Sequence, residues 1–222
     1  MRLFLSSFVF FYFMCWQLIG EEIKKNYVVK VGGIKIGELS WQIGITDNNY
    51  STKINLRSKG LLSAIYSFKG EYFSEGTNFE NQLISKKYTH FWQTKKITKN
   101  MELTFADRKL KTIKQIPIEK EQLRLSVYDI QHTNDPLTSF IKIMMGQTNS
   151  LVVDGRRHYT MKVMSNDNKN QIIVKISNYF NLWADHKRNK FEKIVFEKKE
   201  EAFLPSKIFI HFDDKIFRLY EY

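Results

Sequence analysis

The chain has 222 residues, a formal net charge of +12 and one cysteine, with 43% hydrophobic and 15% aromatic residues. It is long enough for one substantial core, and an all-β domain often reaches this size undivided. A lone cysteine excludes an internal disulfide and a thiolate zinc cluster.

Arg2 precedes an almost unbroken apolar run from Leu3 to Trp16, which closes at Gly20 and turns polar at Glu21, Glu22, Lys24 and Lys25. A charged start, a short apolar stretch and a small final residue are the layout of a cleaved secretory signal peptide. The alternative is an uncleaved anchor in the inner membrane, because the run approaches the roughly 18 residues of a transmembrane candidate. Cleavage after Gly20 assigns residues 1–20 to the signal and 21–222 to a single periplasmic β domain. Cys15 lies within the signal, and Tyr12, Phe13 and Met14 before it are too bulky for a lipoprotein site. The mature domain then has no thiol, hence no disulfide and no cysteine nucleophile.

A basic chain can bind nucleic acid, anionic lipid or an acidic polymer. Here Lys30, Lys35, Lys53, Lys59 and Lys69 are spread among apolar neighbours, the pattern of a solvated face. The abundance of Lys, Asn, Ile, Phe and Tyr is also what an AT-rich genome encodes, which raises the charge without any ligand. Export argues against nucleic acid and leaves an anionic membrane surface as the functional alternative.

Strand follows strand along the mature chain. Asn26 to Ile36 alternates loosely around Gly32-Gly33, and Tyr50, Thr52, Ile54 and Leu56 alternate with Ser51, Lys53, Asn55 and Arg57. That period of two marks half-buried strands. The same pattern predicts strands over Tyr88 to Ile97, Met101 to Phe105, Leu110 to Ile118, Gln171 to Phe180, Phe191 to Phe196, Lys207 to Phe212 and Ile216 to Tyr222. Gly60, Gly70, Gly76, Asn48-Asn49, Asn166-Asp167-Asn168 and Asp213-Asp214 read as turns between them. Gly60 to Tyr66 is ambiguous between a strand and a short helical turn. The expected fold is mainly β: a single curved, barrel-like antiparallel sheet.

One segment, about 135–146, breaks the pattern. Asp135 can cap free N–H groups and Pro136 suits the first helical position. Leu137, Phe140, Ile141 and Met144 then share one face, and Gly146 follows as a stop. An amphipathic helix packed on the sheet is expected, either as a plug over one end or as a mobile lid on a cavity.

Leu151-Val152-Val153-Asp154-Gly155-Arg156-Arg157-His158-Tyr159 is the most distinctive string. Asp154-Gly155 between apolar runs predicts a tight primed turn, because glycine accepts the positive φ it requires. The arginines either face solvent or a neighbouring carboxylate, or Arg156 or Arg157 is an anion binder at the sheet rim.

With this string the chain resembles the exported bacterial proteins grouped as domain of unknown function 3108. The likeness runs through Tyr27-Val28-Val29 with Gly33-Ile34-Lys35-Ile36-Gly37, Ser58-Lys59-Gly60-Leu61-Leu62-Ser63, and Asp135-Pro136-Leu137-Thr138-Ser139. It continues through Val153-Asp154-Gly155-Arg156-Arg157-His158-Tyr159 and Leu204-Pro205-Ser206-Lys207-Ile208. Two features depart from it: the cysteine many members carry after the hairpin is missing, and Asn81-Gln82-Leu83-Ile84-Ser85 stands where a proline motif is usual. The resemblance implies an exported, mainly antiparallel, curved or barrel-like β domain and no assigned activity.

Catalytic signatures are lacking in the sequence. His90, His132, His158, His186 and His211 are far apart, and no pair has the spacing of a helical zinc site. No nucleophile elbow or phosphate-cradling glycine loop is present, and no cofactor is expected. Abundant aromatic residues can fill a core or line a lipid-sized space. The expected function is a non-catalytic periplasmic binding or carrier protein for an apolar or amphiphilic envelope molecule. The alternative is a structural or partner-binding envelope protein without a pocket.

Overall fold

Period-two alternation becomes thirteen antiparallel strands in the computed structural model, which describes residues 21–60, 63, 67–165, 168, 170–183 and 190–222. The signal segment with Cys15, the apolar part of the Gly60–Tyr66 stretch, the Asn166-Asp167 turn and His186 lie outside the described residues.

The first hairpin is β1 (Glu21–Val31) and β2 (Ile34–Ile45), turning at Gly32-Gly33. It is followed by β3 (Asn49–Ser58), β4 (Phe68–Phe79), β5 (Gln82–Thr94), β6 (Thr98–Ala106) and β7 (Lys109–Ile116). After the helix α1 (Pro136–Met144) come β8 (Asn149–Val153), β9 (Arg157–Met164), β10 (Gln171–Asn181), β11 (Phe191–Glu197), β12 (Lys207–Phe212) and β13 (Lys215–Glu221). Each strand pairs with its neighbour in sequence, except across the α1 crossover. The first and last strands also pair, Tyr27 opposite Glu221 and Val31 opposite Phe217.

The result is one large sheet with β7 and β8 as its edges, curved but not closed. The segment before α1 spans the gap. Leu110 N–H donates to the Ile130 carbonyl on the β7 side, at 3.2 Å. On the β8 side Asn134 N–H donates to Leu151 and Val153 N–H to the Asn134 carbonyl, each at 2.9 Å. These bonds satisfy edge groups that would otherwise be open to another chain.

Two expected turns are strand interior instead. Gly70 and Gly76 sit within β4, facing inward. A Cβ on Gly70 would meet the Trp92 ring at 3.0 Å, and one on Gly76 would meet the Ile84 carbonyl at 1.9 Å and the Tyr50 ring at 2.7 Å. They are glycines because a ring or a neighbouring strand occupies the space, a standard role of strand glycine. Sequence reading takes glycine for punctuation and so misses β4.

The expected helix is observed, a little shorter than 135–146, at Pro136–Met144. Asp135 stays extended as its N-cap, and Gly146 at φ +99° ends it. Leu137, Ile141 and Met144 are buried, while Phe140 lies edge-on to Trp41 and Phe196, with centroids 6.3 and 6.1 Å away. Burying each large aliphatic side chain stabilises by roughly 1.5–3 kcal/mol. The helix packs against β4, β5 and β8 and plugs the end of the sheet at which β1 begins.

Asp135 does more than cap. Its Oδ1 accepts the N–H groups of Leu137 and Thr138 at 2.9 and 3.0 Å. Its Oδ2 accepts the hydroxyls of Ser74, Ser85 and Thr138 from β4, β5 and the helix itself. Tyr50 on β3 bonds Thr138 in turn. A fully buried carboxylate therefore ties the plug to β4 and β5 directly and to β3 through Thr138 and Tyr50.

Candidate functional site

Strand direction gives the sheet two unlike ends. The helix end is filled by α1; the other, the hairpin end, carries the β8–β9 turn. Inward-facing positions toward the hairpin end alternate as the pleat requires, and beside aliphatic chains such as Leu56, Met101 and Leu182 they bear aromatic rings and hydrogen-bonding heads.

On one wall, β4 to β7 place Tyr72, His90, Met101 and Gln115 abreast. The Tyr72 and His90 rings stack at 4.3 Å, and nearer the rim Phe68 stacks on Trp92 at 5.3 Å. On the facing wall Tyr159 lies 5.7 Å from Tyr179 and 6.1 Å, edge-on, from Phe191. The Arg157 guanidinium sits over Tyr159 and Phe191 at 5.6 and 6.0 Å. Met101 joins the walls, because it packs so tightly beneath Gly155 that a Cβ there would overlap its sulfur.

Several buried polar atoms on these walls have no hydrogen-bond partner: His90 Nε2, both amide atoms of Gln115, Tyr179 Oη and Asn181 Oδ1. A buried polar group left unpaired costs about 1–3 kcal/mol, so folded chains pair nearly all of them. These five atoms share one end of the sheet; Asn78 Oδ1 and Thr133 Oγ1, toward the helix end, are likewise without a partner. Burial pushes the His90 imidazole down to about 4, against the opposing pull of Asp154, so it is neutral at pH 7. Burial also raises the Tyr72 phenol to about 12 and holds that of Tyr179 above its usual range. At neutral pH these heads are uncharged donors and acceptors.

The two arginines singled out in the sequence do come to this end, each facing a carboxylate of the same chain. Arg157 Nε and Nη2 hold Asp154 Oδ2 at 2.9 and 2.7 Å, and Arg156 Nη1 approaches Glu119 at 3.6 Å. An incoming anion would have to displace Asp154 from the guanidinium. The turn itself differs from the expected one. Its central residues are Gly155 and Arg156, not Asp154 and Gly155, with Gly155 at φ +81°. Asp154 Oδ1 accepts the N–H groups of Arg156 and Arg157 at 2.9 and 2.7 Å, taking the place of its own carbonyl in closing the turn. Trp183 Nε1–H donates to the Gly155 carbonyl at 3.0 Å and clamps the turn from outside.

His90, Gln115, Tyr179 and Asn181 were not prominent in the sequence. The available signal was a polar residue on the inward phase of a strand: Gln115 follows Ile113, and His90 stands between Tyr88 and Trp92. The inward phase of Asn181 was hidden, because a bulge after Ser177 shifts the register of β10.

The outer face carries two grooves over β1 to β5. One, of about 740 Å3, is lined by Gln42, Gly44, Ser51, Lys53, Phe73 and Glu75 among others; the second, of about 380 Å3, lies between Lys24, Arg57 and Tyr222. Among the described residues no helix is long and apolar enough to cross a membrane.

No family model and no curated protein matches the chain. Among solved structures, it superposes on a beta-barrel-like protein of domain of unknown function DUF1849 from Brucella abortus with a TM-score of 0.50. The match covers 92% of this chain and 96% of that one, at 10% identity. The likeness is one of fold.

Proposed function

We propose that this protein is an exported, non-catalytic binding or carrier protein that holds an amphiphilic envelope molecule at the hairpin end of its sheet. Membership of the domain of unknown function 3108 group is part of the same reading and rests on the sequence motifs. The observation that carries the function is the set of unpartnered buried heads, His90, Gln115, Tyr179 and Asn181, between aromatic walls. Rings such as Trp92, Phe68 and Phe191 suit an apolar body, and neutral donors and acceptors suit an uncharged head bearing hydroxyl or amide groups. The arginine charge is already balanced by Asp154, which disfavours an anionic head at this depth.

The test is mass spectrometry of small molecules extracted from protein purified from its native envelope. A single amphiphile near stoichiometric amount is expected from the wild type, and a several-fold smaller amount from a His90→Phe, Gln115→Leu variant of equal stability. No small molecule, with one protein partner co-purifying instead, would replace this reading by that of a partner-binding envelope protein. Equal recovery from the variant would remove the site from this end.

A further inference from the structure

The rim around the hairpin end is the most apolar exposed part of the described chain. Ile34 in the β1–β2 turn is 57% exposed, and Ile97 in the β5–β6 turn 50%. Ile116 and Ile118, at the end of β7, reach 66% and 83%, and Phe212 in the β12–β13 turn 37%. These residues lie at three turns and at the end of β7, all at one end of the sheet, whereas at the turns of the helix end the exposed large hydrophobic residues are Phe79 and Met164 among the described residues. Scattered surface hydrophobics are ordinary, but a ring of them at one end is not.

Positive charge accompanies the ring. Beside Ile34, three cations, Lys35, Arg57 and Lys59, share the single carboxylate of Glu38 at 2.9 to 3.5 Å. Lys96 stands next to Ile97, whereas the turn after Phe212 is Asp213-Asp214, with Asp213 paired to Lys190 at 2.7 Å and Lys215 following. At Ile34 and Ile97 apolar tips flanked by surplus cations complement the interface of an anionic bilayer: headgroups attract the cations while the tips enter the acyl boundary.

We propose that the hairpin end docks on an anionic lipid surface, so that the mouth of the candidate site faces the membrane. The inference rests on the binding reading for its purpose, since an amphiphile moving between bilayer and protein would cross the least water at this end. The docking geometry stands on the rim alone.

The experiment is co-sedimentation of the mature chain with vesicles of phosphatidylcholine, and with phosphatidylcholine mixed with phosphatidylglycerol, at low and high salt. Partitioning to the phosphatidylglycerol vesicles is expected, weakening with salt as exposed charges are screened. An Ile97→Asp, Ile118→Asp variant should partition at least about tenfold more weakly. A Phe79→Asp, Met164→Asp variant at the helix end should match the wild type. No preference for anionic vesicles overturns the proposal, as does equal weakening by the helix-end variant. Self-association in the absence of lipid that the rim variant abolishes also overturns it, and assigns the rim to a second copy of the chain. The two readings separate cleanly. A rim variant that keeps its extractable amphiphile but leaves vesicles upholds both, whereas vesicle binding by a protein that yields no amphiphile removes the carrier reading alone.

Discussion

His90 joins the candidate site to the stability of the fold. Its imidazole has a pKa of about 4 in the folded chain because burial penalises the cation, against 6.5 when unfolded. Between those values the unfolded chain binds a proton that the folded chain refuses, so stability falls as pH drops from 6.5 toward 4. The full effect is on the order of 3 kcal/mol. Glu38 acts in a lower window: hydrogen bonds from Lys59 and Lys35 hold its carboxyl at about 2, so its contribution is complete above 4.5 and lost as pH falls through 2. His158, also lowered by burial, adds to the His90 window. Urea midpoints measured at pH 7 and pH 5 should therefore fall together with pH in the wild type and fall less in His90→Phe. An identical drop in the two proteins would show that His90 is not held neutral by its surroundings.

At the scale of elements, α1 and the β8–β9 hairpin divide the work of ending the sheet. The helix is held by apolar packing and by Asp135, whose two oxygens accept five hydrogen bonds from α1, β4 and β5. Replacing Asp135 by Ala removes a helix cap and orphans buried hydroxyls, a loss of roughly 3 kcal/mol. The same change in Thr138→Val, which deletes one hydroxyl of the network, should be smaller by at least half. Denaturant melts of the two variants decide it, and a loss below about 1 kcal/mol for Asp135→Ala would show that apolar contacts alone seat the helix. The hairpin is held differently, through Asp154 closing its own turn and a glycine that fits over Met101 with positive φ.

For the whole molecule, the decisive feature is where the sheet fails to close. Pairing of β1 with β13 brings the first and last strands of the domain into its middle, and the discontinuity falls instead between β7 and β8, beside the α1 crossover. The Ile130–Asp135 segment bridges it toward the helix end, and the Glu119–Arg124 stretch toward the hairpin end, through Glu119 with Arg156 and the Arg124 N–H donated to the Leu182 carbonyl. Beyond Leu110, β7 shows lysines at 111 and 114, the usual protection of an exposed edge. Native-state hydrogen exchange should show the slowest amides along β1, β2 and β13 and much faster exchange on the open side of β7. Equal protection of β7 and the β1–β13 seam would mean that the barrel closes in solution.

By itself the sequence determined the kind of structure. Period-two alternation at 50–56 and 207–212 can serve only a half-buried strand, and Asp135-Pro136 before Leu137, Phe140, Ile141 and Met144 can only begin an amphipathic helix. These are local patterns, set by backbone geometry and the side-chain period. Export, the absent thiol and the carrier role belong to the sequence reading and the proposal. What tertiary structure decided is everything that depends on distant residues meeting. Gly70 and Gly76 are strand residues because Trp92, Ile84 and Tyr50 arrive from other strands. Asp135 became a junction because Ser74 and Ser85 point at it. The arginines near Asp154 lost their freedom to that carboxylate and to Glu119, while His90, Gln115, Tyr179 and Asn181 come to one end of the sheet from three strands, β5, β7 and β10. No local pattern records such a meeting, because only curvature of the whole sheet brings those strands to face one another.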